Sequence, residues 1–132
     1  MAQGWTLVMV NSHATEKKRV LLIVEDFDNI RNLFGRYLSV HDYEVISAGT
    51  IADAIALGKE AAPDIVLMDF DMRSTDPYKN ISALHNALPS SKLVTVDGSN
   101  RHILEDKAKI AGATTVVPRT MAPDKLESTL NA

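Results

Sequence analysis

The sequence predicts an α/β fold: a doubly wound, five-stranded parallel sheet in the order 2-1-3-4-5 with helices on both faces. Three observations carry that prediction. Short, continuous apolar runs bounded by turn residues recur along the chain, the pattern of strands covered on both faces. Each run is followed by a stretch of helical periodicity, and strand–helix alternation implies right-handed crossovers within one parallel sheet. Three runs, in RVLLIVED, PDIVLMDFD and SKLVTVDGS, end abruptly on carboxylates, where a covered parallel sheet places its chemistry.

Taken in order, residues 1–18 stand apart. WTLVMV is apolar but lacks the basic lead-in and cleavage pattern of a signal peptide, and the NSHATEKKR that follows is linker-like. A start-site extension, an extra edge strand and a cloning remnant all remain open for it, and the folded domain is expected over residues 19–132. Val20 to Val24 form the first strand and deliver Glu25 and Asp26 at its end. Ile30, Leu33, Phe34, Tyr37 and Leu38 then make one stripe of an amphipathic helix, with Asp28 as its expected N-cap. Tyr43 to Ala48 read as a strand. Thr50 with Asp53 resembles a capping box for a helix through Ile51, Ala54, Ile55 and Ala62, which Pro63 ends. The central strand runs into Asp69 and Asp71.

Pro77 is placed to open a helix carrying Ile81, Leu84 and Leu88, with Pro89 helping to stop it. Asp71 and Asp76 read as loop acids. Leu93 to Val96 form a strand that meets Asp97. Arg101 to Ala111 are expected to be helical, with Leu104, Ala108 and Ala111 inward and Gly112 as C-cap. Thr114 to Val117 make a last strand, at an edge where Pro118 is tolerated. Asp124 to Leu130 form the final helix, with Leu126 and Leu130 on one face.

Composition narrows the function. A chain of 132 residues fits one domain, and a net charge of −3 argues against a general nucleic-acid surface. No run of about 18 apolar residues offers a membrane span. The absence of cysteine excludes disulfides and thiolate metal sites and fits the cytoplasm. His13, His41, His85 and His102 show no ligand spacing.

In the predicted strand order the first and third strands are neighbours, so Glu25, Asp26 and Asp69 share one crevice. Three clustered carboxylates repel unless one stays protonated or a cation sits among them, and an all-oxygen set favours Mg²⁺ over zinc. Mg²⁺ held by Glu25 and Asp26 suits a phosphoryl group arriving on the Asp69 carboxylate.

With LLIVED, PDIVLMDFDM, LVTVDG and AGATTVVPR in this order and spacing, the chain from about Arg19 onward resembles the receiver domains of two-component response regulators. The resemblance implies the flavodoxin-like receiver fold and phosphorylation of Asp69 by a histidine kinase, a phosphotransfer protein or a small phosphodonor. It also implies Mg²⁺ on Glu25, Asp26, Asp69 and the backbone carbonyl of Asp71. A downstream protein or a second copy would meet the face of the fourth helix, fifth strand and fifth helix, including Ile103, Val116 and Leu126. No turnover of an external substrate is implied.

The switch positions depart from the family pattern. Asp97 stands where receivers carry Ser or Thr, Arg119-Thr120 where they carry Lys-Pro, and Val116 where they carry an aromatic. Met72-Arg73 and Asp76-Pro77 replace the usual Met-Pro and Asp-Gly. Four acids against one divalent cation and Arg119 leave an excess negative charge before phosphorylation. Two like charges ~4 Å apart repel by up to ~4 kcal/mol at an effective dielectric of about 20. The Arg119 fork suits either Asp97 or Asp69, and the sequence suggests an Asp97–Arg119 ion pair that replaces phosphorylation-dependent switching. A rival reading is a phosphorylation-independent pseudo-receiver that serves as a protein-interaction module. A remote one, from Asp69-Phe70-Asp71, is a haloacid-dehalogenase-like phosphatase, for which too little chain follows the motif.

Overall fold

The computed structural model describes residues 18–73, 75–98, 105–119, 121 and 123–132. The extension over residues 1–17, the start of the expected fourth helix at 101–104 with Ile103, and Thr120 lie outside them. Five strands, β1 Arg19–Val24, β2 Tyr43–Ala48, β3 Ile65–Asp69, β4 Lys92–Asp97 and β5 Thr115–Pro118, form one parallel sheet in the order β2-β1-β3-β4-β5. The helices between and after them are α1 Asp28–Ser39, α2 Ile51–Ala61, α3 Pro77–Ala87, α4 Glu105–Ala111 and α5 Pro123–Asn131. Fold and strand order are as predicted.

Side-chain alternation sorts the core into two layers. Leu22, Val24, Val66 and Met68 pack beneath α2, α3 and α4 through Ala54, Ile81, Leu84 and Ala108. On the other face, Leu21, Ile23, Ile65 and Leu67 meet α1 and α5 through Leu38, Leu126 and Leu130. With both faces covered, the central strands need continuous apolar sequence. In register, Val24 lies opposite Met68, Asp69 opposite Val96 and Asp97 opposite Pro118. The acidic strand ends therefore reach one edge together.

Helix ends correct two expectations and bear out half of a third. Asp28 is the first residue of α1, not its cap: Phe27 takes the extended cap position without a side-chain bond, and Asp28 pairs with Arg31 at 2.6 Å. A first-turn acid still favours the helix dipole, so the preference is met one residue later. Thr50 caps α2 by accepting the Asp53 N–H at 3.1 Å, the forward half of the expected box. Asp76, read as a loop acid, is the N-cap of α3 and accepts the N–H groups of Tyr78 at 2.9 Å and Lys79 at 3.3 Å. Pro77 at the first helical position needs no such partner. We expect Asp76→Ala to cost about 1 kcal/mol, read as a lower urea midpoint at unchanged slope; an unchanged midpoint would show that water replaces the cap at no cost.

Two further features position the elements. Gly112, at φ +129, follows α4 where an added Cβ would lie 2.6 Å from His85, so a turn that only glycine tolerates lets α4 close onto α3. At the opposite edge of the sheet, Asn131 Oδ1 at the end of α5 accepts Arg19 Nη1 at 3.1 Å and the Tyr43 hydroxyl at 2.7 Å. Lys92 Nζ donates to the carbonyls of Thr129 at 2.8 Å and Ala132 at 3.0 Å, supplying a cation where the helix dipole is negative. Among the described residues no helix is long and apolar enough to cross a membrane.

Candidate functional site

β1 ends in Val24, so Glu25 and Asp26 begin the turn into α1. Glu25 is only 2% exposed. Its Oε1 accepts the Phe27 N–H at 3.1 Å, and its carbonyl accepts Arg31 Nη1 at 2.9 Å. Burial pushes the Glu25 carboxyl up to about 7; the Phe27 N–H works the other way, and the neighbouring Asp69 charge adds to the rise.

Asp26 is held differently. Its Oδ2 accepts both the backbone N–H and the Nε of Arg73, each at 2.9 Å, and the Arg73 guanidinium lies 4.1 Å from the Phe27 ring centroid. Burial favours the neutral acid, but the two Arg73 bonds outweigh it and hold Asp26 below its ordinary value. Its other oxygen, Oδ1, is buried with no hydrogen-bond partner.

Asp69 closes the cluster from the end of β3, with 4% of its surface exposed. Its Oδ1 accepts the Asp71 N–H at 3.0 Å and Arg119 Nη2 at 2.9 Å. Arg119 reaches it across Gly98, where a Cβ would come within 3.0 Å of the guanidinium. Of the two carboxylates that the sequence offered to Arg119, the ion pair described is thus with Asp69 and not with Asp97, on which the switch hypothesis was built. Asp97 is buried, and its carbonyl accepts the Arg119 N–H at 3.1 Å. Asp71, expected to contribute only its carbonyl, also accepts the Gly98 N–H on Oδ2 at 3.1 Å. That bond ties the loop after β3 to the end of β4.

Glu25, Asp26 and Asp69 each offer an oxygen, all within 4.8 Å of one another. These residues fit a hard divalent cation: the ligand atoms are all oxygens, one buried oxygen lacks a partner, and burial beside the Asp69 charge makes Glu25 resist ionisation. Val116 is half-buried against the core. The residue that sequence reasoning missed is Arg73. It stood out only as a departure from the family's usual Met-Pro, and its partner Asp26 is 47 residues away. Counted with Arg119 and a divalent cation, Arg73 balances the four acids and removes the charge excess expected from sequence.

Comparison with known proteins agrees with this geometry. The family described as "Response regulator receiver domain" matches residues 21–131. The chain is 28% identical over 115 residues to the chemotaxis protein CheY of Thermotoga maritima, covering 86% of this chain and 95% of that protein. It is 33% identical over 89 residues to the response regulator protein VraR of Staphylococcus epidermidis, covering 66% of this chain but 41% of VraR. A match to the probable transcriptional regulator ycf27 of Porphyridium aerugineum is 32% identical over 62 residues, covering 47% of this chain and 26% of that protein. The chain thus spans nearly all of one such relative and less than half of the others. Among solved structures, Vibrio cholerae chemotaxis protein CheY4 superimposes with a TM-score of 0.78 at 22% identity, over 86% of this chain and 97% of that one. With a sheet in the order β2-β1-β3-β4-β5, an acidic crevice at the ends of β1 and β3, and a family match across nearly the whole described domain, the chain belongs to the response regulator receiver domains, which are signalling modules of two-component systems.

Proposed function

We propose that Asp69 is a phosphoacceptor and that Glu25, Asp26 and Asp69, with the backbone carbonyl of Asp71, hold Mg²⁺. The observation that carries this reading is the buried, unpartnered Asp26 Oδ1 beside the Glu25 and Asp69 carboxyls. In the step itself, a carboxylate oxygen of Asp69 attacks the phosphorus of a phosphohistidine or acetyl phosphate. A new O–P bond makes an acyl phosphate, and the donor's P–N or P–O bond breaks with its electron pair leaving on the donor. A cation held by Glu25, Asp26 and Asp69 would offset the negative charge gathered there. The chain's own residues do the positioning: the Asp71 N–H and Arg119 fix one oxygen of the nucleophile, and Arg73 holds Asp26 ionised. Arg119 and Asp97 occupy the switch positions, so any structural response runs through the Arg119–Asp69 pair rather than a hydroxyl hydrogen bond.

The donor would be a histidine kinase or phosphotransfer protein of the cytoplasm, and the response would reach a downstream protein or a second copy through α4, β5 and α5. A second reading rests on Asp97, buried at the end of β4: a carboxylate there repels a phosphoryl group and cannot donate to it while ionised, which suits a pseudo-receiver that acts by binding alone. Intact mass after incubation with acetyl phosphate and Mg²⁺, beside Asp69→Ala, separates the two. The phosphoacceptor reading expects a gain of one phosphoryl group that the variant loses. No gain from acetyl phosphate or from a cognate kinase would leave the pseudo-receiver.

A further inference from the structure

A carboxylate can meet a cation through one oxygen or through both, and the choice depends on what holds the second oxygen. Mg²⁺ demands about six ligands in a near-octahedral array at about 2.0–2.1 Å, whereas Ca²⁺ accepts about six to eight and commonly takes both oxygens of one carboxylate. At Asp26 the second oxygen is already engaged. Oδ2 accepts the backbone N–H and the Nε–H of Arg73, each at 2.9 Å, which uses both of its lone pairs. Oδ1 is left buried without a partner, beside the oxygens of Glu25 and Asp69.

Arg73 is itself held in place. Its guanidinium stacks 4.1 Å from the centroid of the Phe27 ring, and Nη2 faces the Asp26 carbonyl at 3.5 Å. A planar guanidinium fixed on a ring aims its N–H groups in set directions, which a flexible ammonium does not. Given that Glu25, Asp26 and Asp69 hold a divalent cation, as proposed above, we infer that Arg73 determines which cation: by occupying Asp26 Oδ2 it limits Asp26 to one ligand oxygen and so selects Mg²⁺ over Ca²⁺. Released from Arg73, the Asp26 carboxylate can turn both oxygens toward the crevice, a form that the larger ion accepts and Mg²⁺ does not. Repulsion by the guanidinium charge does not produce this preference. Mg²⁺ and Ca²⁺ carry the same charge, so that repulsion weakens both alike and cancels in the ratio of their affinities.

Calorimetric titration of the full chain with Mg²⁺ and with Ca²⁺ at pH 8, where Glu25 is ionised, reads that ratio. Arg73→Pro removes both donors to Oδ2, and Arg73→Met removes the side-chain donor alone. The preference for Mg²⁺ over Ca²⁺ is expected to fall by on the order of tenfold in Arg73→Pro, the usual effect of losing a group that orients a metal ligand, and by less in Arg73→Met. Arg73→Lys keeps the backbone donor and restores a charged one, so it should recover part of the preference. The Arg73 side chain is 62% exposed, so Arg73→Met should spare the fold, which circular dichroism checks, and it carries the comparison if Arg73→Pro does not fold. An unchanged ratio in every folded variant, with both cations still bound, overturns the role of Arg73 and leaves the cation site standing. So does an equal loss of both affinities, which would make Arg73 a structural support alone. No binding of either cation by the unaltered chain overturns the cation site itself, and the role of Arg73 with it.

Discussion

Raising the pH of the metal-free protein from 4.5 to about 7 is expected to lower its stability by up to ~3 kcal/mol, and Glu25→Gln is expected to remove that loss. The sign follows from linkage. Glu25 has a higher pKa folded than unfolded, so between the two values the folded state holds a proton that the unfolded state has released. The stability is fully present below about 4.5 and is lost as pH rises through about 7, after which both states are ionised and the curve is flat. Asp26, held below its ordinary value, contributes in the opposite sense: its share is present above 3.8 and is lost as pH falls below it. The two effects occupy different windows.

Urea unfolding of both proteins across this range makes the measurement. At pH 8 Glu25→Gln should be the more stable, and below 4.5 the two should converge. Parallel curves would show that Glu25 ionises freely in the folded state. Mg²⁺ adds a second readout. Because the metal needs the carboxylate, binding below pH 7 should release protons, seen as a buffer-dependent heat in calorimetry, and the release should fade as pH rises above 7. Glu25→Gln should abolish that release and weaken binding.

Arg119→Ala has the next largest expected effect, because it strips the cation from an aspartate that is only 4% exposed. Breaking a buried pair by removing one partner leaves an uncompensated charge. The Arg119 side chain is 41% exposed, so the cost should lie below that of a fully buried pair, at about 2 kcal/mol. Phosphoryl uptake from acetyl phosphate should slow by on the order of tenfold, ~1.4 kcal/mol, as the charge facing the incoming group is lost. Arg119→Lys should recover most of the stability. Asp97→Thr should act in the opposite direction and raise uptake, since it removes a negative charge and supplies a hydroxyl donor. If Arg119→Ala matched the unaltered chain in both stability and uptake, its pair with Asp69 would be incidental.

These expectations depend unequally on what could be read from sequence. The sheet was legible because β1, β3 and β4 are covered on both faces and so spell out continuous apolar runs, and because Asp69 breaks such a run with a charge. Strand order followed from alternation and handedness, and it alone brought Glu25, Asp26 and Asp69 together. What stayed hidden was local choice and long-range pairing. Phe27 rather than Asp28 takes the α1 cap because Asp28 finds Arg31 one turn on, a competition that spacing does not rank. Asp76 looked like a loop acid because a helix signal, Pro77, already stood beside it. Arg73 and Arg119 are long, jointed side chains whose partners depend on the paths open to them, and the path of Arg119 was cleared by Gly98, just past the end of β4.

The anchoring of α5 has a mechanical consequence. Its carboxyl end is pinned by Asn131 to β1 and β2 and by Lys92 to β4, whereas its amino end follows the turn that carries Arg119. The helix is therefore a lever with its fulcrum at the edge of the sheet remote from the acids. A displacement of Arg119 by a fraction of an ångström would be expressed as a swing of the near end of α5, widest beside the site and vanishing at Asn131. Removing one of the two pins, as in Asn131→Ala, would loosen the fulcrum on the β1 and β2 side and blur that motion without touching any acid, while Lys92 still ties the helix end to β4.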